Sequence, residues 1–142
     1  MNLKIQKLDP AAVLPRYATA GAACFDITSI EAGNILPDGS RIFRTGLAVE
    51  VPDGHALLLF SRSGHAFLHD LRLSNAVGVI DSDYRGEVKV KLRNDGHVDR
   101  TILAGERIAQ GLVLPVQRCA FELVETLGST ARGDGGFGST GK

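Results

Sequence analysis

Apolar residues in this chain recur at every second position over short stretches, and Gly, Pro, Asn or Asp closes most of those stretches. A period of two sets one side-chain row on each face of a pleated strand and gives no helix a continuous apolar stripe. Residues 87–93 are the clearest case. Val88, Val90 and Leu92 share one face, Lys89, Lys91 and Arg93 the other, and Asn94-Asp95-Gly96 supplies a turn. Leu47, Val49 and Val51 alternate likewise before Pro52-Asp53-Gly54, and residues 55–60 form an unbroken apolar run expected to be buried on both faces. Further strands are expected over residues 3–8, along Gln110, Leu112, Leu114 and Val116, and more weakly along Phe121, Leu123 and Glu125. The only helical candidate is residues 63–70, with Ser63 as its cap. The expected fold is all-β, a sandwich or barrel.

With 142 residues there is room for one domain. Residues 1–127 are expected to form it, and residues 128–142, which offer no apolar face, to form a mobile glycine-rich arm. Sixteen basic and 16 acidic residues cancel, which argues against the broad basic face of a non-specific nucleic-acid binder. The basic set is 11 Arg to 5 Lys, a bias suited to planar recognition of carboxylate or phosphate. No apolar run approaches the roughly 20 residues of a membrane span, and the first residues lack a signal-peptide core, so a soluble, cytoplasmic protein is expected. Cys24 and Cys119 each have apolar neighbours and read as buried, reduced thiols. His65 and His69 would share a helix face, but no third zinc ligand accompanies them.

Four segments carry polar groups that a packed core does not require. Asp26 stands in the small, apolar stretch 20–27, as a turn carboxylate or as a site residue. Ser61-Arg62-Ser63-Gly64 follows the buried run and combines a guanidinium fork, hydroxyls and an open backbone. It reads equally as an anion cradle or as a salt-bridged Arg beside a helix start. Residues 78–87, GVIDSDYRGE, set Tyr84 among Asp81, Asp83 and Arg85, where a carboxylate could serve as general base or magnesium ligand. Residues 132–142 mix Arg132, Phe137, Ser139 and Thr140 with glycines. The last seven imitate a phosphate-binding P-loop, but no Ser or Thr and no helix follow the lysine, so the match is rejected.

Taken together with Gly105-Glu106-Arg107-Ile108-Ala109-Gln110, these segments resemble, in order and content, the five motifs of the homotrimeric dUTPase family, across residues 20–141. The resemblance implies a jelly-roll-like β-barrel assembled as a trimer with shared active sites. It implies Mg²⁺-assisted hydrolysis of dUTP to dUMP and pyrophosphate, with no nucleic-acid or membrane partner. Asp81 would be the general base and Tyr84 the platform under the deoxyribose, closed to a ribose 2′-OH. Asn75 and the backbone of Gly78, Val79 and Ile80 would read the uracil edge. Arg62, Ser63, Gly64 and Gln110 would contact phosphates or the attacking water, and Asp26 would lie near the metal's water shell. In the arm, Arg132, Gly138, Ser139 and Thr140 would close on the phosphates while Phe137 covers the base. Physically, guanidinium, N–H groups and Mg²⁺ offset the charge that gathers on a phosphate under attack, and a closing arm excludes water.

Two departures stand out: Cys24-Phe25-Asp26-Ile27 where the family usually has Gly-Tyr-Asp-Leu, and His65-Ala66-Phe67 where Leu-Ala is usual. Two other readings are a dCTP deaminase, which would release ammonia from dCTP, and a regulatory nucleotide-sensing module.

Overall fold

A computed structural model describes residues 1–139. Two antiparallel sheets pack face to face as a jelly-roll-like sandwich, which matches the expected all-β class. One sheet runs β1(Lys4–Lys7), β5(Ser40–Glu50), β9(Glu87–Asn94), β7(Leu71–Leu73). The other runs β2(Arg16–Tyr17), β3(Phe25–Thr28), β11(Arg107–Pro115), β6(His55–Phe60), β8(Gly78–Ile80). A ribbon of β4(Gly33–Ile35) and β10(Arg100–Ile102) stands beside them. The alternation of β9 is realised as expected: Val88, Val90 and Leu92 join Phe43, Val49, Leu57, Leu59, Leu71 and Leu73 in one buried cluster. Among the described residues, no helix is long and apolar enough to cross a membrane.

The alternation in β11 points the other way from its apolar lettering. Gly111 is buried and Val113 packs on the core, while Leu114 is exposed on the outer face. Phe25 explains this, because a Cβ on Gly111 would lie 2.5 Å from its ring. Only glycine lets β11 pass under that ring. Strand β5 is longer than residues 47–51 because a bulge between Arg44 and Ala48 lets it continue past a turn residue. Gly46 takes φ 67° there; its N–H donates to Glu87 Oε1 at 2.9 Å, and Thr45 Oγ1 donates to Val88 O at 2.6 Å.

Three expectations need correction. No strand forms over Phe121–Glu125; β11 ends at Pro115, and Phe121 and Leu123 are fully exposed. The sheets therefore stop short of the boundary expected at Leu127. Cys119 lies on that exposed stretch and Cys24 is only half-buried, though both are free thiols. Ser63 is not the helix cap. Helix α1(Ser63–His69) starts from extended Arg62, with no side-chain bond at its N-terminus.

Candidate functional site

Strand β8 is the outermost strand of its sheet, bonded on one side to β6 through Leu59↔Gly78, Leu58↔Val79 and Leu57↔Ile80. Its other edge leaves a row of N–H and C=O groups without ladder partners, a template for a planar ligand edge. Beside it a slot of about 240 Å³ opens, walled by Leu59, Leu73 and Val90 and rimmed by Asn75, Gly78, Val79, Ile80, Lys89 and Lys91. The turn carrying Asn75 is tight. Ala76 has φ 60°, Val77 N–H donates to Asn75 O at 2.6 Å, and Ala76 N–H donates to Leu73 O. Gly78 lies close against β6: a Cβ there would sit 3.1 Å from that of Leu59, a tight contact.

Past β8 the chain turns through Asp81, whose carbonyl accepts from Tyr84 N–H. Asp81 and Asp83 line an open pocket of about 730 Å³ with His55, Val79 and Arg118. Tyr84 Oη donates to Glu87 O at 3.1 Å, and its ring lies against Gly86, where a Cβ would be 2.3 Å from Oη. The glycine thus makes the tyrosine's resting place.

At the far end of β6 a second constellation gathers. Asp26 on β3 accepts from Arg62 Nε through Oδ1 and from Arg107 Nη1 through Oδ2, each at 3.0 Å. Both carboxylate oxygens are thereby engaged by guanidinium, so Asp26 acts as a fork holding two arginines. Arg62 Nη1 also donates to Arg107 O at 3.0 Å, and Gln110 Nε2 donates to Ser61 O at 2.9 Å. The segment Ser61-Arg62-Ser63-Gly64 is therefore tied to both β3 and β11, and a Cβ on Gly64 would meet nothing. Among the described residues no group of three or more His, Cys, Asp or Glu could hold a metal ion.

These two constellations do not meet within one chain. Asp81 follows Ile80, which pairs with Leu57 near the start of β6, whereas Arg62 lies beyond its end. From Leu57 to Arg62 the chain advances five residues, about 17 Å at the usual rise per residue. The described part of the arm, residues 128–139, does not join them either. Arg132 Nε donates to Gly135 O within the arm, Phe137 and Gly138 have positive φ, and the Phe137 ring is fully exposed. Ser139 N–H donates to Gly136 O, and Thr140 lies outside the described residues. Arg107 received no role from the sequence, although its motif was singled out. Its partner Asp26 is 81 positions away, and no local pattern links them.

A family model described as dUTPase matches residues 11–141. The deoxyuridine 5′-triphosphate nucleotidohydrolase of Wolinella succinogenes is 47% identical over 142 residues, covering 100% of this chain and 95% of the relative. That of Helicobacter pylori strain P12 is 40% identical over 141 residues, covering 99% and 97%. Among solved structures, the Staphylococcus bacteriophage 80alpha dUTPase with dUpNHpp superposes with a TM-score of 0.93 at 28% identity, covering 99% of each chain. With the fold, the five motifs and these relatives in agreement over nearly every residue, the chain belongs to the dUTPase family and is a dUTP diphosphatase.

Proposed function

We propose that the protein acts as a trimer in which each site takes its uracil slot and base from one chain and its phosphate cradle from another. The observation that carries this reading is the separation, along β6, of the Asp81–Tyr84 turn from the Arg62 constellation. Asp81 follows Ile80, opposite Leu57, whereas Arg62 lies past Phe60, so the base and the cradle of one chain stand at different ends of that strand. The exposed Phe121, Leu123 and Phe137 fit the same arrangement, since each would find its contacts on another subunit.

The nucleotide enters as its Mg²⁺ complex, which reduces the charge on the triphosphate. Magnesium keeps several waters and is commonly carried by phosphates, so the ion would arrive with the substrate. Uracil lies in the slot against the open edge of β8. Its edge offers a fixed donor–acceptor pattern that cytosine would oppose with donor against donor. Asn75 supplies a side-chain contact and Tyr84 supports the deoxyribose. Arg62, Ser63, Gly64 and Gln110 of a second chain hold the phosphates, with Asp26 anchoring the Arg62 guanidinium at the edge of the metal's water shell. Arg132, Gly138, Ser139 and Thr140 of an arm close on the outer phosphates, and Phe137 covers the base.

Asp81 takes a proton from water as its oxygen bonds to the α-phosphorus. The bond from that phosphorus to the bridging oxygen breaks, and pyrophosphate leaves with the electron pair, giving dUMP. A positioned base of this kind is worth about 10²–10⁴-fold in rate. The Arg132 guanidinium and N–H donors of the closing arm supply the charge stabilisation in the transition state. In a cytoplasmic setting the reaction limits uracil entering DNA and furnishes dUMP for dTMP synthesis.

The test is Asp81→Asn. Calorimetry should find dUTP bound about as tightly as by the wild type, while pyrophosphate release falls by about 10²-fold or more. Turnover within a few-fold of wild type would remove Asp81 from the base role.

A further inference from the structure

His65 is buried at the start of α1, and nothing in the mechanism above uses it. Its Nε2 lies 2.9 Å from the carbonyl oxygen of Arg107 and 3.4 Å from Glu106 Oε1. A carbonyl can only accept, so Nε2 carries the ring hydrogen and donates to it. Nδ1 is buried and, among the described residues, has no hydrogen-bond partner. An apolar side chain of similar volume would avoid that unpaired atom. What the imidazole adds at this position is the single bond from Nε2.

That bond falls at a structurally sensitive place. The pairing of β11 with β3 shifts register between Arg107 and Ala109, so Arg107 borders a bulge. Bulges re-aim backbone and side chains near sites, and they hold a given shape only while their released polar groups find partners. The Arg107 oxygen has two: His65 Nε2 and Arg62 Nη1. Arg62 is therefore docked on a carbonyl whose direction the histidine fixes, and on Asp26, which Arg107 also grips. Glu106 is held in turn, its Oε2 accepting from Leu103 N–H at 2.8 Å. His69 is a further titratable neighbour, its ring centroid 6.2 Å from that of His65.

We infer that His65 is a positioning residue for the phosphate cradle: by bonding the Arg107 carbonyl it locks the bulge against which the Arg62 guanidinium is set. This rests on the reading of Arg62 as a phosphate contact. The histidine acts on the triphosphate end of the ligand, and in the proposed arrangement the uracil slot of that site belongs to another chain.

Two variants in the full-length protein test it. His65→Leu fills the same space without a donor; His65→Gln keeps an amide N–H of similar reach. For His65→Leu, KM for dUTP should rise about tenfold with kcat within about twofold, because the lost contact serves ground state and transition state alike. Inhibition by deoxyuridine, which has no phosphate, should be unchanged, and His65→Gln should recover most of the loss in KM. An unchanged dUTP KM in His65→Leu would overturn the inference. So would an equal weakening of deoxyuridine and dUTP, or a His65→Gln variant no better than leucine, since each denotes a packing role. A wild-type protein that leaves dUTP intact would instead remove the enzyme reading, before any variant is compared.

Discussion

A single missing Cβ decides where the Tyr84 ring rests. At Gly86 any side chain would collide with the phenol, and the obstructing atoms are the far end of a movable side chain, not backbone. Gly86→Ala should therefore fold normally while displacing the ring and loosening its bond to Glu87 O. Under the proposed role of Tyr84, kcat/KM for dUTP should drop about tenfold and the preference over UTP should narrow, since misplacing a group by an ångström is costly. Parallel kinetics with the two nucleotides check this, and unchanged discrimination would relieve Tyr84 of the sugar contact. Ala76 shows the converse. A residue with a Cβ occupies φ 60°, and the conformation persists because bonds to Leu73 O and Asn75 O enclose it.

At the scale of elements, the end of β9 is fastened to β7 and its turn by charge as well as by the ladder. Asp95 accepts from Arg93 Nε at 2.7 Å and is paired with Arg72 on β7. The bond from Arg72, then that from Arg93, holds its carboxyl below the usual carboxylate range. A depressed folded-state value means the stabilisation is whole above the unfolded value, near pH 4, and is lost as pH falls through the lower folded value. Thermal melts across that acid range should show Asp95→Asn less stable than wild type above pH ~4, with the difference closing below it. A constant offset at all pH values would mean that the charge of Asp95 is not what matters. The strands themselves were unevenly legible. β9 and β6 were plain, because each carries a run long enough to show its periodicity. β2, β4, β7, β8 and β10 have two or three residues apiece and show no period at all. Phe121, Leu123 and Glu125 alternate yet form no strand, because a strand needs a neighbour as well as a pattern.

At the scale of the whole molecule, the decisive distance is the length of β6. If Asp81 and Arg62 of different chains build one site, two crippled chains should repair each other. Arg62→Ala and Asp81→Asn proteins, denatured and refolded together in equal amounts, should regain about a quarter of wild-type activity, because a random assembly pairs an intact base with an intact cradle in that share of sites. Each variant refolded alone should stay near its own low level. No recovery in a mixture shown to be trimeric would place both residues in one chain's site.

The sequence by itself determined the fold class, the family and the order of the functional segments. GVIDSDYRGE and RGDGGFGSTG were readable because each holds its polar groups in a contiguous stretch whose chemistry does not depend on distant partners. Only the tertiary structure decided that Asp26 clasps two arginines, that His65 meets the Arg107 carbonyl, and that β8 is an edge strand with half its backbone groups open. It also set the base and the cradle at opposite ends of one strand. Those are facts of register and neighbourhood, fixed by how two sheets close on a shared core, and linear order carries no record of which strands end up side by side.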